Sequence, residues 1–381
     1  MSEWKTVRLG DVFDLQMGKT PERKNLDFFS TTDNKWISIA DISKADKYIF
    51  ETKEYISDEA VKKSGIKQIP ANTVIMSFKL SIGKTAITKE PMYSNEAIMA
   101  FLPNGKYEVD NDFLYHLFSN KDWSEGSNKA VKGITLNKAS LLEVKILLPP
   151  LTIQKQIAKT MDKCTEIISK NKRMLENYDT LIKSRFIEMF GDPVLNPMGW
   201  EEVRITELCK NPDDIKCGPF GTQLSKDEYQ KKGVPIFGIP QINSSFRVLP
   251  TDFLTNSKAE KLDAYSLIYG DIAMSRKGNV GKCAIYSGKE KGIIHSDVVR
   301  LRVDDAICNS IYLMNQLHIN QKVETQISNV SSGAIMAGIN VTKMKDIIVY
   351  NPPLSLQNDF ATFVQQIDKS KFEYTYTGVA A

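Results

Sequence analysis

Apolar residues at Ile157, Met161, Cys164, Ile168, Leu175, Tyr178, Ile182 and Met189 fall mostly three or four positions apart, with Asn171 and Arg185 in two of the slots between. From Ile153 to Phe190 the chain holds no proline or glycine; Pro149-Pro150 stand before this stretch, and Gly191 and Pro193 follow it. The spacing and the bracketing predict one long helix with a heptad-like seam. At about 1.5 Å per residue it is a rod roughly 55 Å long, too long for one small core to wrap, so its stripe needs a partner helix. Asn171 in that seam either fixes register at a cost in stability or sits at a wet edge. A second run, from Leu354 to about Phe372, carries Leu356, Phe360, Phe363, Val364 and Ile367 and predicts a shorter antiparallel partner. The final residues, Glu373 to Ala381, have no helical stripe and are expected to fray.

On either side of the long helix the period changes. Trp36-Ile37-Ser38-Ile39-Ala40-Asp41-Ile42 alternates, and Thr73-Val74-Ile75-Met76-Ser77 and Asp271-Ile272-Ala273-Met274-Ser275 are short apolar runs. Ala97 to Leu102 and Val298 to Val303 follow, each bounded by turn residues, and all read as strands. Helices are predicted at Asn111 to Ser119 and Ser310 to His318. The globular parts are therefore mixed α/β and mainly β.

These two parts are copies of one another. Trp4, Val7 and Arg8 lie over Trp200, Val203 and Arg204. Met76-Ser77-Phe78-Lys79-Leu80-Ser81-Ile82-Gly83-Lys84-Thr85-Ala86-Ile87 matches Met274-Ser275-Arg276-Lys277-Gly278-Asn279-Val280-Gly281-Lys282-Cys283-Ala284-Ile285 in seven places. Gly133 to Lys138 meets Gly338 to Lys343, and Pro149-Pro150-Leu151-Thr152-Ile153-Gln154 meets Pro352-Pro353-Leu354-Ser355-Leu356-Gln357. Four ordered matches at a nearly constant offset make a tandem repeat, each copy a globular unit of about 150 residues followed by Pro-Pro-Leu and a helix.

Composition narrows the partners only slightly. The 381 residues are 42% hydrophobic and 25% charged, ordinary globular values, and the net charge of +4 permits nucleic-acid binding without demanding it. The cysteines, Cys164, Cys209, Cys217, Cys283 and Cys308, have no CxxC spacing, which argues against a disulfide framework or a zinc site and suits a reducing cytoplasm. No run approaches the roughly 20 apolar residues of a membrane span and the first residues carry no signal core, so a soluble, cytoplasmic protein without a membrane partner is expected.

Candidate catalytic motifs fail on inspection. Asn351-Pro352-Pro353-Leu354 begins like the signature of amino-group DNA methyltransferases, but the required aromatic residue is Leu354, and the first copy has Leu148 in place of Asn351. Gly18-Lys19-Thr20 and Gly83-Lys84-Thr85 match the end of a phosphate-binding loop, whose earlier glycine is replaced by Phe13 and Phe78. His116, His295 and His318 lack metal spacing. No catalytic residue, metal ligand or cofactor is expected in this chain. What recurs is a basic turn, with Lys79 and Lys84 in one copy and Arg276, Lys277 and Lys282 in the other. Such a turn serves either as a phosphate-contacting element or as a solvated hairpin whose Gly83 and Gly281 meet a turn requirement. The loops Lys19 to Lys24, Lys129 to Lys132 and Gln223 to Lys232, with Lys19, Lys129, Lys132, Gln223 and Lys226, are further candidates for reaching DNA.

The order of globular unit, Leu148-Pro149-Pro150-Leu151, Ile153-Gln154-Lys155-Gln156-Ile157-Ala158, a long helix ending Arg185-Phe186-Ile187-Glu188-Met189-Phe190-Gly191-Asp192-Pro193, and a second unit resembles the specificity subunit of Type I restriction-modification systems. The likeness runs from residue 1 to about residue 372. It implies an α+β fold with two mainly-β target-recognition domains in tandem, joined by long antiparallel coiled-coil-like connector helices. On this division residues 1–150 form the first recognition domain and 151–191 the central connector. Residues 192–352 form the second domain, 353–373 a short second connector and 374–381 a frayed tail. The resemblance further implies that each domain reads one half of a split double-stranded DNA target while the helices act as a ruler. The helices would also dock two methyltransferase subunits that use S-adenosylmethionine, and restriction subunits that use ATP and Mg2+ would complete the complex. The seam residues Ile157, Met161, Cys164, Ile168, Asn171, Leu175, Tyr178, Ile182 and Met189, with Phe360, Phe363, Val364 and Ile367, are the expected coiled-coil and docking positions. One departure is that the second connector stops early, as if naturally short or truncated. That leaves the end of the central helix near Gly191 to be covered by methyltransferase subunits. Two other readings are a self-sufficient methyltransferase or nuclease, and a coiled-coil scaffold without DNA readout.

Overall fold

The alternating runs become strands because their apolar residues bury on one side of a pleated sheet. The structure, a computed structural model, describes residues 4–79, 81–123, 128–130, 133–331 and 338–377. It divides into two units, Met1–Ser169 and Lys170–Ala381.

In the first unit a five-stranded sheet runs in the order Phe13–Met17, Ile98–Pro103, Val74–Ser77, Thr85–Thr88, Tyr48–Ile49. Its pairs are antiparallel except the last, with Val74 opposite both Phe101 and Ile87. A smaller sheet joins Glu54–Ile56, Asn34–Ile37 and Tyr93–Ser94. The second unit repeats this plan. Ile215–Cys217, Val298–Leu301, Ile272–Ser275 and Cys283–Ile285 form one sheet; Phe253–Leu254, Val234–Phe237, Gly292–Ile294 and Ser266–Leu267 form the other. Each unit is closed by an antiparallel ribbon of its first and last strands, Lys5–Arg8 with Lys145–Leu148 and Glu202–Arg204 with Ile348–Tyr350. The fold is α+β, with helices at Asn111–Asn120 and Ser310–Ile319 where the sequence predicts them.

The alternating stretch from Trp36 to Ile42 is a strand only as far as Ile37. Ser38 then caps a short helix, Ile39–Lys44: its backbone N–H and hydroxyl both donate to Asp41 Oδ2, at 2.8 and 2.7 Å. A local capping box overrides the period-two pattern.

The Pro-Pro-Leu-x-x-Gln repeat works through its glutamines, both fully buried. Gln154 Nε2 donates to Pro149 O (2.8 Å) and Glu108 O (3.1 Å), and its Oε1 accepts from Asp110 N (2.8 Å). Gln357 Nε2 donates to Pro352 O (2.8 Å) and Asn351 Oδ1 (3.1 Å), and its Oε1 accepts from Asn309 N (2.9 Å). Asp110 and Asn309 are the N-caps of the helices Asn111–Asn120 and Ser310–Ile319. One side-chain amide per unit therefore joins a proline turn, a connector helix and a capped neighbour.

The long helix spans Leu151–Phe190, 40 residues, hence about 60 Å. Its first turns belong to the first unit, with Ala158 buried and Ile157 half-buried against that core. Asp162 accepts from Lys47 Nζ (2.7 and 2.8 Å) and lies 2.7 Å from His116 Nε2; Lys47 also pairs with Asp112 (2.9 Å), which accepts from Tyr48 Oη (2.8 Å). The last turns are sealed into the second unit, where Ile182, Phe186 and Phe190 are buried. There Phe360 meets Phe186 and Phe190 edge-on at 5.5 and 5.6 Å, and Lys371 Nζ reaches Asp179 Oδ1 at 2.8 Å. Those contacts make the helix Leu354–Thr377 antiparallel to the end of the long helix.

Two expectations change. The end near Gly191 is covered, because Gln357 anchors the second connector beside the core that holds Phe190, and an antiparallel helix begins its coverage there. The backbone is helical to Thr377 rather than to 373, since no glycine or proline lies between Leu354 and Gly378. Residues 378–381 lie outside the described residues.

Replacing Gln154 or Gln357 with Ala strands buried backbone groups, and each change is expected to cost about 2–3 kcal/mol. Urea denaturation of the chain checks this, and an unmoved midpoint would refute the clamp. Burial opposes ionisation of Asp162, but the bonds from Lys47 and His116 outweigh it and hold its pKa below the ordinary value. The stability it adds is thus present above the ordinary aspartate pKa of about 3.9 and is lost as pH falls through the depressed folded value. Asp162→Asn should flatten this acid limb in melts recorded against pH.

Candidate nucleic-acid interface

Each unit brings three segments together at one junction. In the first, the strand Phe13–Met17 leaves its sheet at Gly18, whose N–H donates to Ile98 O at 3.1 Å. A Cβ at Gly18 would sit 2.2 Å from Asn95 O and 2.3 Å from Ser94 O, so only glycine allows this crossing. Phe78, at the start of the basic turn, donates its N–H to Ala97 O (3.0 Å), while Asn95 N bonds Ile37 O (3.0 Å) and Ile98 N bonds Asn95 O (3.2 Å).

The second unit repeats this frame bond for bond. Gly218 N donates to Val298 O (3.1 Å), Arg276 N to Asp297 O (2.8 Å), His295 N to Phe237 O (2.9 Å) and Val298 N to His295 O (2.9 Å). A Cβ at Gly218 would lie 2.3 Å from His295 O. The basic turns close alike, Gly83 N to Ser77 O and Gly281 N to Ser275 O, both at 3.0 Å, with φ of +89° and +83° at the glycines.

Side chains differ on this common frame. In the first unit Glu96 is exposed and pairs with the Thr20 hydroxyl. That hydrogen bond outweighs burial and, helped by Lys79 and Arg23, lowers its carboxyl pKa. Arg23 lies over Phe29 (4.4 Å) and Trp36 (4.7 Å) and grips Glu54 with two bonds, at 2.6 and 2.9 Å. Lys19 donates to Ser64 O, and Lys79 lies over the Phe78 ring at 5.4 Å. In the second unit the Arg276 guanidinium donates to Ile339 O (3.0 Å) and Ser296 O (3.4 Å) and lies over Phe220 (5.4 Å). Lys277 pairs with Asp297 at 2.9 Å, and Asp297 N donates to His295 Nδ1 at 3.2 Å.

Lys19, Lys79, Arg276 and Lys277 therefore stand at the junctions, with Arg276 bonded to the fold itself. Lys84 and Lys282 are exposed at the far side of the basic turns; Gln223, which accepts from Tyr265 Oη at 3.0 Å, and Lys226 lie on the loop that follows Gly218. Lys129 is in the strand Asn128–Ala130, and Lys132 lies outside the described residues. Sequence reasoning missed Asn95, Glu96, His295, Ser296 and Asp297. The available signal was Gly18 over Gly218 at the same offset as Asn95 over His295.

The rejected catalytic motifs have structural duties. Asn351 Oδ1 accepts from Gln357, and His318 Nε2 accepts from Cys283 N at 3.1 Å, its pKa lowered first by burial. Burial pushes the Cys209 thiol up to about 12. Among the described residues no group of His, Cys, Asp and Glu is placed to hold a metal ion, and no helix is long and apolar enough to cross a membrane.

Comparison with known proteins gives this repeated frame a family. The specificity subunit of the MjaIX Type I restriction enzyme of Methanocaldococcus jannaschii is 21% identical over 96% of this chain and 87% of its own length. The EcoR124I/EcoR124II specificity subunit of Escherichia coli is 27% identical over 42% of this chain and 40% of its own. The Type I restriction-modification S subunit from M. genitalium shares the fold across 100% of this chain and 93% of its own, with a TM-score of 0.56 at 14% identity. A chain from a structure describing complex assembly and conformational transition of a type I R-M system does so across 99% and 94%, also at 0.56, with 18% identity. The Type I restriction modification DNA specificity domain matches residues 1–177 and again 197–377, and the chain belongs to that family.

Proposed function

We propose that this chain is the specificity subunit of a Type I restriction-modification complex, a non-catalytic DNA-binding component that reads a split target with two recognition domains. The observation that carries the reading is the junction built twice, with one backbone frame and two different sets of polar side chains that reach solvent. A split target presents two different half-sites, and two copies of one scaffold with different polar groups suit them. Residues 1–150 read one half and 192–352 the other, with the helices Leu151–Phe190 and Leu354–Thr377 as connectors. Lys19, Lys79, Lys84, Lys129, Lys132, Gln223, Lys226, Arg276, Lys277 and Lys282 supply the DNA-facing set. In this reading the complex works in the cytoplasm, and methylation and cleavage belong to two methyltransferase subunits using S-adenosylmethionine and to restriction subunits using ATP and Mg2+.

The seam of the long helix divides by burial. Ile157 packs on the first unit's core, while Ile182, Met189, Phe360, Val364 and Ile367 belong to the second unit's core. Phe363 lies under Arg185 at 5.8 Å. Cys164 is exposed, as are Ile168 (68%) and Leu175 (42%), with Met161, Asn171 and Tyr178 partly so. Solvated leucine and isoleucine along one helix stretch suit docking of a methyltransferase subunit better than the buried ends do.

Methylation sequencing of DNA from cells expressing the chain with its methyltransferase subunit should yield a split adenine-methylated motif that vanishes without the chain. Transplanting residues 1–150 from a relative should alter one half only; a change in both halves would refute the modular division. The double change Ile168→Glu with Leu175→Glu should weaken capture of the methyltransferase subunit by about tenfold or more, some 1.4 kcal/mol, while leaving the melting temperature of the chain unmoved. Undiminished capture would place docking elsewhere.

A further inference from the structure

We propose that the turn at Asn95 and Glu96 in the first unit, and its counterpart at His295 and Ser296 in the second, reads base edges in the major groove of the two half-sites. The inference rests on the specificity reading and names the residues that discriminate within it. Readout positions in a duplicated domain should share a rigid backbone, reach solvent and differ in chemistry between the copies. These positions do all three. The four frame bonds recur in both units, and the glycine crossings leave no room for the frame to shift. Asn95 and His295 are partly exposed and Glu96 is exposed.

The hydrogen-bond inventory says what each could read. Asn95 Oδ1 accepts from Ala97 N at 3.0 Å, and its amide nitrogen has no partner among the described residues. His295 occupies the same place: Nδ1 accepts from Asp297 N, which puts the proton of the neutral ring on Nε2, again without a partner among the described residues. Both positions thus offer an N–H donor, suited to the N7 acceptor of a purine or the O6 of guanine. Glu96 adds an acceptor, suited to the amino group of cytosine or adenine, where Ser296 offers a hydroxyl. Two neighbouring units of one chain would in this way ask for different bases through one backbone.

The test uses the complex with its methyltransferase subunit and methylation sequencing as the readout. Asn95→Asp keeps the acceptor that closes the turn but removes the donor, and Glu96→Gln adds a donor to the acceptor; His295→Asp likewise keeps an acceptor for Asp297 N and removes the donor. Asn95→Asp and Glu96→Gln should change the methylation preference at one or two positions of the first half by roughly ten- to a hundredfold and leave the second half intact. His295→Asp should do the converse. An unchanged motif with unchanged relative rates in all three variants overturns the inference alone. A wild-type complex that directs no split motif overturns the specificity reading, and this inference with it. For a variant that methylates nothing, competition binding decides: loss of preference for the intact over the scrambled half-site supports readout, and a retained preference overturns it.

Discussion

Each unit depends on one buried side-chain amide. Gln154 and Gln357 sit where a chain leaving a strand must turn through two prolines and enter a helix, a place where backbone carbonyls would otherwise be left without donors. The amide supplies the donor, and its oxygen takes the N–H of Asp110 or Asn309, the residue that caps the neighbouring helix. The direction in which each connector leaves its domain is thereby tied to the helix packed beside the sheet. Lys47, His116 and Asp162 reinforce the first connector about two turns further on, and the Phe186, Phe190 and Phe360 cluster does so for the second.

Charge is handled differently in the two copies. The second unit buries Arg300, which donates to Ser266 O (2.9 Å) and Ala264 O (3.3 Å), and beside it Arg302 grips Asp271 at 2.8 Å through each of two nitrogens. Burial, then the neighbouring Arg302, lowers the pKa of Arg300, so those carbonyls, with Asp271 and then Asp214, are what make its charge tolerable. The first unit has Ala100 at the matching strand position, opposite Ile75, as Arg300 stands opposite Ala273. One sheet frame therefore accepts an apolar and an ionic solution. The same tolerance explains how the junction keeps its backbone while its side chains diverge: the frame is carried by main-chain bonds and by glycine, which side-chain replacement does not touch.

Sequence alone determined the repeat, the long helix, the main strands and the helix that pairs with it, because these follow from period, from glycine and proline, and from local capping. It also excluded the phosphate loop and the methyltransferase motif, since those require particular residues at fixed spacing. Tertiary structure decided which seam residues are buried, and it reversed the expectation for Gly191, because an antiparallel partner covers a helix from the point where it is anchored. It decided too that Arg276 is bonded to Ile339 O, while Asn95 and His295 come beside the basic turns. Those meetings join segments 19 to 63 residues apart, through main-chain hydrogen bonds and the Arg276 side chain, and no local pattern of residue types records which carbonyl a distant N–H will find.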